Sequence, residues 1–304
     1  MKRILLLLLT IPSFASAQLR WHLSETHNQG LPDGVKVYET TDSLDGKPFR
    51  AFYLEADLKD PQLEFSVREG KGKRYTPAQY DSIEGPNVIA VMNTTFFSFT
   101  TNRSLNLVVH EGKVVDVNPK SVKNKYFTRS AFGLDRKGRP DIAWVYNVGK
   151  KEVPYAYDVP NTGKINGTDT IWQQPGKRGA HKWKMKEAVG GGPILVQNGQ
   201  PYITPAEEGM GGSLLLFHPR TAIGYTADHK LIMMVIEGRN KGVAEGAIFP
   251  QMAKIFTDLH CVEAMNMDGG GSSALFVNGK NTIKTSDGSQ RPVPAVLMIK
   301  RKAP

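Results

Sequence analysis

One cysteine, Cys261, stands in the 304 residues, so an intrachain disulfide is excluded and stability has to come from burial. Beyond the first seventeen residues there is no apolar run long enough to cross a bilayer. The seven histidines, His22, His27, His110, His181, His218, His229 and His260, show no zinc-type spacing with one another or with Cys261. No metal site and no cofactor are read from these patterns. Helix-type periodicity is scarce as well. The best stretch is "PQMAKIFTDLH", with Met252, Ile255, Phe256 and Leu259 at three- and four-residue spacing and Pro250 suited to a first turn; "TPAQYDSIE" is the second.

What is present begins with a leader. Lys2 and Arg3, the run "ILLLLL" and the small residues "ASA" before Gln18 match a secretory signal peptide over 1–17, so a soluble exported protein, periplasmic or extracellular, is expected. Its removal lowers the formal net charge from +10 to +8. The remaining basic residues are spread over "REGKGKR", "NPKSVKNK" and "GKRGAHKWKMK", without recognition-helix patterns. Nucleic acid is therefore not the expected partner; a solvated basic surface that draws in an anionic substrate or a phosphate-bearing glycan is.

Short runs rich in β-branched and aromatic residues dominate the rest. "VKVY", "FRAFYLEADL", "QLEFSV", "NVIAVMN", "LNLVVHEG", "PDIAWVYNV", "PILVQNG", "LLLFHP", "KLIMMVIEG", "ALFVNG" and "PAVLMIK" each read as a strand bounded by turn residues. The expected fold is α+β: a large, mostly antiparallel or mixed sheet core with few covering helices. Residues 18–48 read as an N-terminal extension and 49–304 as one domain, with an irregular insertion at about 150–187. "RSAFGLDRKGRPDIAWV" from Arg129 aligns with "RTAIGYTADHKLIMMVI" from Arg220 at an offset of 91 residues. An internal two-fold repeat is one account, reuse of hairpins the other.

The stretch "NMDGGGSSALFVNG" carries the densest chemistry. Gly269, Gly270 and Gly271 let backbone approach a ligand closely, and their amides, with the hydroxyls of Ser272 and Ser273, suit phosphate or sugar oxygens; a tight strand crossing is the structural alternative. A P-loop is excluded, because no Gly-Lys-Ser/Thr follows. The second triplet, Gly190 to Gly192, has no preceding acid and is closed by Pro193, which favours packing. Asn93 ends an apolar strand, as a satisfied turn residue or as a ligand amide. Arg220 follows "LLLF" and needs an anionic partner, protein carboxylate or substrate phosphate. Arg129, its counterpart in the first copy, reads as a structural pair. Glu237 and Asp268 both end strands, and two such carboxylates could divide acid, base or nucleophile work; local pairing of Glu237 with Arg239 is the alternative. Cys261 reads as a small buried residue.

Taken in order, "VIAVMNTTFF", "RSAFGL", "AVGGGPILVQNG", "RTAIGYTADHKLIMMVIEGR", "PQMAKIFTDLHCVEAMNMDGGGSSALFVNGK" and "RPVPAVLMIK" resemble the phosphodiester glycosidase family, whose animal member is the lysosomal uncovering enzyme. The resemblance runs from about Phe49 to Lys300 and is sharpest from Arg220 to Gly279. It implies cleavage between a sugar's anomeric carbon and a phosphodiester, releasing the sugar and a phosphomonoester. It also implies that Arg220 and the amides of 269–271 bind phosphate, that Asp268 is the catalytic carboxylate or an anchor of sugar hydroxyls, that Glu237 is the second acid or base, and that Asn93, Ser272 and Ser273 position substrate. Three positions depart from the family pattern: Thr94 and Thr95 replace two usual glycines, and Glu237 replaces an aspartate. The competing classes are a non-catalytic glycan-binding envelope protein and a metal-dependent phosphodiesterase.

Overall fold

In the computed structural model, residues 18–302 are described except 122–124, 162–163, 166–167, 170–173 and 212–213; the expected signal peptide and part of the expected insertion lie outside them. The described strands pair antiparallel in sheets of eight, seven and five strands, and Lys164–Ile165 pairs with Thr168–Asp169. The eight-stranded sheet has Ala51–Asp57, Lys230–Ile236, Arg220–Thr226, Cys261–Asn266 and Ile194–Gln197 as consecutive neighbours. The seven-stranded sheet is centred on Pro140–Val148, Arg129–Leu134 and Glu187–Gly190. In the five-stranded sheet Ala295–Arg301 lies between Val88–Asn93 and Leu63–Glu69.

Period-two alternation sorts the central strands into two layers. From Ala51–Asp57, Phe52, Leu54 and Ala56 enter the main core, while Ala51 and Tyr53 face a second cluster. Lys230–Ile236 repeats this division, with Leu231, Met233 and Val235 on one side and Ile232, Met234 and Ile236 on the other. All three sheets feed the main core: Phe132 and Trp144 from the seven-stranded one, Met92 and Leu297 from the five-stranded one. The second cluster is capped by the helix Phe249–Asp258, which buries Met252, Ile255 and Phe256. Each such side chain contributes about 1.5–3 kcal/mol of burial. The helix Pro77–Glu84 starts on a capping box, in which Thr76 Oγ1 accepts from Gln79 N at 3.1 Å and Gln79 Oε1 accepts from Thr76 N at 2.9 Å.

Mostly antiparallel sheet with few helices is thus what the sequence led one to expect. The weak repeat corresponds to two hairpins, Arg129–Leu134 with Pro140–Val148 and Arg220–Thr226 with Lys230–Ile236, in different sheets; a two-fold relation is not established by them. Residues 18–48 supply the strand Val35–Thr40, paired along its length with Ala51–Asp57. One expected strand is absent: "LLLF" at 214–217 is loop, with Leu215 and Leu216 exposed. Its apolarity serves a rim, since Leu216 lines a cleft and its carbonyl accepts from Arg220 Nη2.

Candidate active site

The loops at the strand ends of all three sheets enclose a cleft of about 760 Å³. Asp268 enters it immediately after the strand Cys261–Asn266. Its position is set by bonds from the end of the strand Val88–Asn93. Asp268 N donates to Thr94 O at 2.8 Å, and Asn93 Nδ2 donates to Asp268 O at 2.6 Å. The carboxylate is partly buried, and desolvation pushes its pKa up to about 6, against the pull of hydrogen bonds from Ser272 and the Gly269 amide and of the Arg291 charge. A carboxylate that changes charge near neutrality, inside a cleft, suits proton transfer or stabilisation of a cation.

Each of the three glycines makes room for a different neighbour. A Cβ on Gly269 would lie 2.8 Å from Pro219 O, one on Gly270 3.1 Å from Arg239 Nη2, and one on Gly271 2.1 Å from both Arg291 Nη2 and Asp287 Oδ2. Gly270 also has φ +62°, in the region other residues avoid. The loop therefore brings arginines against bare backbone.

Arg220 is only 7% exposed and lines the cleft. Its Nε donates to Ala247 O at 2.9 Å and its Nη2 to Leu216 O at 2.7 Å, with the guanidinium 4.2 Å above the Phe249 ring. Burial pulls its pKa down to about 10. These contacts fix its direction while leaving its charge without a carboxylate among the described residues, which suits a phosphate.

Several sequence-assigned residues sit behind the cleft rather than in it. Asn93 is fully buried: besides its bond to Asp268, its Oδ1 accepts from Thr221 Oγ1 at 2.8 Å and from Ala274 N at 3.0 Å. It braces the loop. Ser272 is buried, accepts from Arg291 Nη1 at 3.3 Å and supports Asp268. The Ser273 hydroxyl is buried without a hydrogen-bond partner. Thr94 donates to Ala295 O at 3.0 Å, and neither it nor Thr95 lines the cleft, so the side chains that replace the family's glycines do not crowd it.

Glu237 departs furthest from its expected role. It is 1% exposed and absent from the cleft wall; its carboxylate accepts from Asn240 Nδ2 at 3.2 Å and Lys284 N at 3.1 Å, with Arg50 Nη1 4.0 Å away. The strand-end position that suggested catalysis points this side chain into a loop junction instead. Nor does it pair with Arg239, which is exposed, has φ +60° and lies over Gly270.

The structure adds cleft residues that strand patterns did not single out. Arg129 lines the wall instead of forming the expected structural pair. Arg291, in the coil "SQRPVP", reaches the glycine loop. Asn266 lines the cleft and is 3% exposed; its Nδ2 donates to Gly192 O and Met267 O, and its Oδ1 has no partner. His218 also lines it, with a buried, unpartnered Nδ1 and a pKa lowered first by burial and then by Arg220 and Arg239. Asn266 is in the quoted motif, and its position two residues before the acid was the one available signal.

Comparison with known proteins bears on the fold and the family. The SPbeta prophage-derived uncharacterized protein YomE of Bacillus subtilis is 38% identical over 82 residues, 27% of this chain; the match spans 13% of that protein's length. The catalytic domain of zebrafish N-acetylglucosamine-1-phosphodiester alpha-N-acetylglucosaminidase, auto-inhibited by its pro-peptide, superposes with a TM-score of 0.61 at 18% identity, over 94% of this chain and 89% of that one. A hypothetical protein from Synechocystis gives 0.61 at 15% identity, over 89% of this chain and 62% of that one. At these identities the structural likenesses speak for the fold. The family model described as phosphodiester glycosidase matches residues 86–300, most of the sequence, and the chain belongs to that family.

Proposed function

We propose that the protein hydrolyses the bond between a sugar's anomeric carbon and a phosphodiester, releasing free sugar and a phosphomonoester. The observation that carries this reading is the meeting, in one cleft, of the Asp268 carboxylate with Arg220 and the glycine loop. The reaction adds water oxygen to the anomeric carbon; the carbon–oxygen bond to phosphate breaks, its electron pair leaves with the phosphate, and one water proton is released. Phosphate leaves well without being protonated, so one carboxylate suffices where most glycosidases use two. Arg220 neutralises the departing oxygens, and ionised Asp268 stands beside the sugar as positive charge develops there. Asn266 Oδ1, an acceptor without a partner, suits a sugar hydroxyl. The chemistry of the leader, with Lys2, Arg3 and "ILLLLL", supports an exported enzyme acting on envelope or scavenged glycans.

The test is sugar release from a panel of sugar-1-phosphodiesters in 18O-labelled water. Label in the released sugar is expected, and label in phosphate would mean P–O cleavage and overturn the mechanism. The absence of Glu237 from the cleft favours one competing reading, a glycan-binding protein on the same scaffold. Sugar phosphodiesters that protect against heat but are never cleaved would establish that reading instead.

A further inference from the structure

Charge in the cleft does not balance. Arg129, Arg220, Arg239 and Arg291 line it, against one carboxylate, Asp268. Asp287, behind the wall, pairs with Arg291 at 2.5 Å. Among the described residues the other three arginines have no carboxylate within salt-bridge distance. Once Asp268 is set against them, two positive charges remain, whereas a sugar phosphodiester brings one negative charge. Guanidinium groups held partly out of water without counter-charge are costly, and a ligand of matching charge relieves that cost.

The arginines are also separated in space. The strand Cys261–Asn266 lies between Arg220–Thr226 and Ile194–Gln197. On one side Met267 N donates to Thr221 O at 2.8 Å, next to Arg220. On the other, Asn266 N donates to Pro193 O at 2.9 Å and Gly191 N donates to Ser130 O at 3.0 Å, next to Arg129. Arg220 and Arg129 thus approach from opposite flanks of the segment that carries Asp268.

Arg129 is half-buried, and its guanidinium has no hydrogen-bond or salt-bridge partner among the described residues. The acid that acts on it electrostatically, Glu208, is buried behind the cleft wall and forms no salt bridge with it. It accepts from Ser130 N at 2.8 Å, Ser130 Oγ at 2.7 Å, Ile194 N at 2.9 Å and Thr204 Oγ1 at 2.7 Å.

We propose that the cleft takes a substrate with two phosphates, the scissile one held by Arg220, Arg239 and the glycine loop, and a second on the leaving group held by Arg129. The assignment of the scissile phosphate rests on the function proposed above; the two-anion site does not. Two sources supply this chemistry: a sugar joined through a diphosphate to a nucleoside, and a polymer whose sugar units are joined by successive phosphodiesters.

Binding is tested on the full mature chain with inorganic pyrophosphate and inorganic phosphate, by thermal shift and by titration calorimetry. Pyrophosphate is expected to bind at least ten-fold more tightly, and Arg129→Ala, with its fold checked by circular dichroism, to remove most of that difference. Arg129→Lys should restore part of it, since charge remains while the planar fork is lost. Equal affinity for the two ions, or a preference that survives Arg129→Ala, would overturn the proposal. Turnover of one sugar presented as a single phosphodiester, a nucleoside diphosphate and a short phosphodiester oligomer then separates the sources. The better of the two-phosphate substrates identifies its source, and Arg129→Ala should reduce its kcat/KM at least ten-fold more than that of the single phosphodiester. A single phosphodiester that is cleaved as well as both others sinks the two-phosphate assignment and leaves the hydrolase standing. Tight pyrophosphate binding through Arg129, with no sugar released from any substrate, sinks the hydrolase and supports the two-anion site.

Discussion

Asp268 combines a cost to the fold with a use in the cleft. Its pKa, raised by burial to about 6, lies above the ordinary carboxylate value, so the folded state binds its proton more tightly than the unfolded state does. The sign is therefore that ionised Asp268 destabilises the fold, increasingly as pH rises from about 4 to about 6 and fully above that. Asp268→Asn should raise thermal stability at pH 7.5, by at most about 3 kcal/mol, while turnover falls at least about 1,000-fold. Melting curves beside sugar release check both halves, and an active variant would remove Asp268 from the chemistry. For the wild type, kcat/KM should rise through pH 6, as expected of a carboxylate that works ionised. A profile that falls there instead would make Asp268 a proton donor.

Glu237 should behave in the opposite way. Its oxygens hold Lys284 N and Asn240 behind the cleft, so Glu237→Gln should cost about 1–2 kcal/mol of stability and leave kcat within about three-fold. Denaturant titration and steady-state kinetics on one preparation decide this, and loss of kcat without loss of stability would return Glu237 to the catalytic step.

At the scale of elements, the glycine loop is held from two sides. Asn93, at the end of Val88–Asn93, ties its start through Asp268 O and its end through Ala274 N. Asn93→Ala leaves one acceptor, Asp268 O, and two donors, Thr221 Oγ1 and Ala274 N, unanswered, with an expected loss of about 2–4 kcal/mol, and it should lower kcat because the Asp268 carboxylate loses its fixed direction. Gly271→Ala probes the same loop sterically. The added methyl group would have to displace Arg291 and Asp287, and kcat/KM should fall about 10–100-fold with a smaller stability loss than Asn93→Ala. Unfolding midpoints together with kinetics for the two variants distinguish a brace from a clearance. Neither role was legible in the sequence beyond residue type. Asn93 at a strand end raised a choice between turn residue and ligand amide, and only the pairing of two sheets across the loop resolved it.

On the scale of the whole molecule, buried acids fasten sheet to sheet. Glu208 accepts from Ser130 N in the seven-stranded sheet and Ile194 N in the eight-stranded one. Glu263, on Cys261–Asn266, accepts from Ile142 N at 2.9 Å in the seven-stranded sheet. Glu187 accepts from Val67 N at 2.8 Å in the five-stranded sheet and Glu111 N at 3.1 Å beside its own. Each answers backbone donors that meet where sheets join. Glu208→Ala should lower stability by about 3–5 kcal/mol, measured by urea titration, because four donors lose one acceptor group. A loss below about 1 kcal/mol would mean that the sheets are held by apolar contact alone.

The sequence by itself determined most of the strand content, the helices Pro77–Glu84 and Phe249–Asp258, and the loop that carries the acid, because period-two alternation, capping residues and glycine runs act over a few neighbouring residues. Phe52, Leu54 and Ala56 alternate with Ala51 and Tyr53 in the sequence as they do between the two clusters. Local signals also misled in places. The run "LLLF" had the composition of a strand and became an exposed rim, and Glu237 had the strand-end position of a catalytic acid and became a buried junction. Only the tertiary structure decided which arginines share the cleft. Arg129, Arg220, Arg239 and Arg291 are spread from residue 129 to residue 291, and what joins them is the order of strands in the sheets, which hydrogen bonds between distant segments set and which no local pattern encodes.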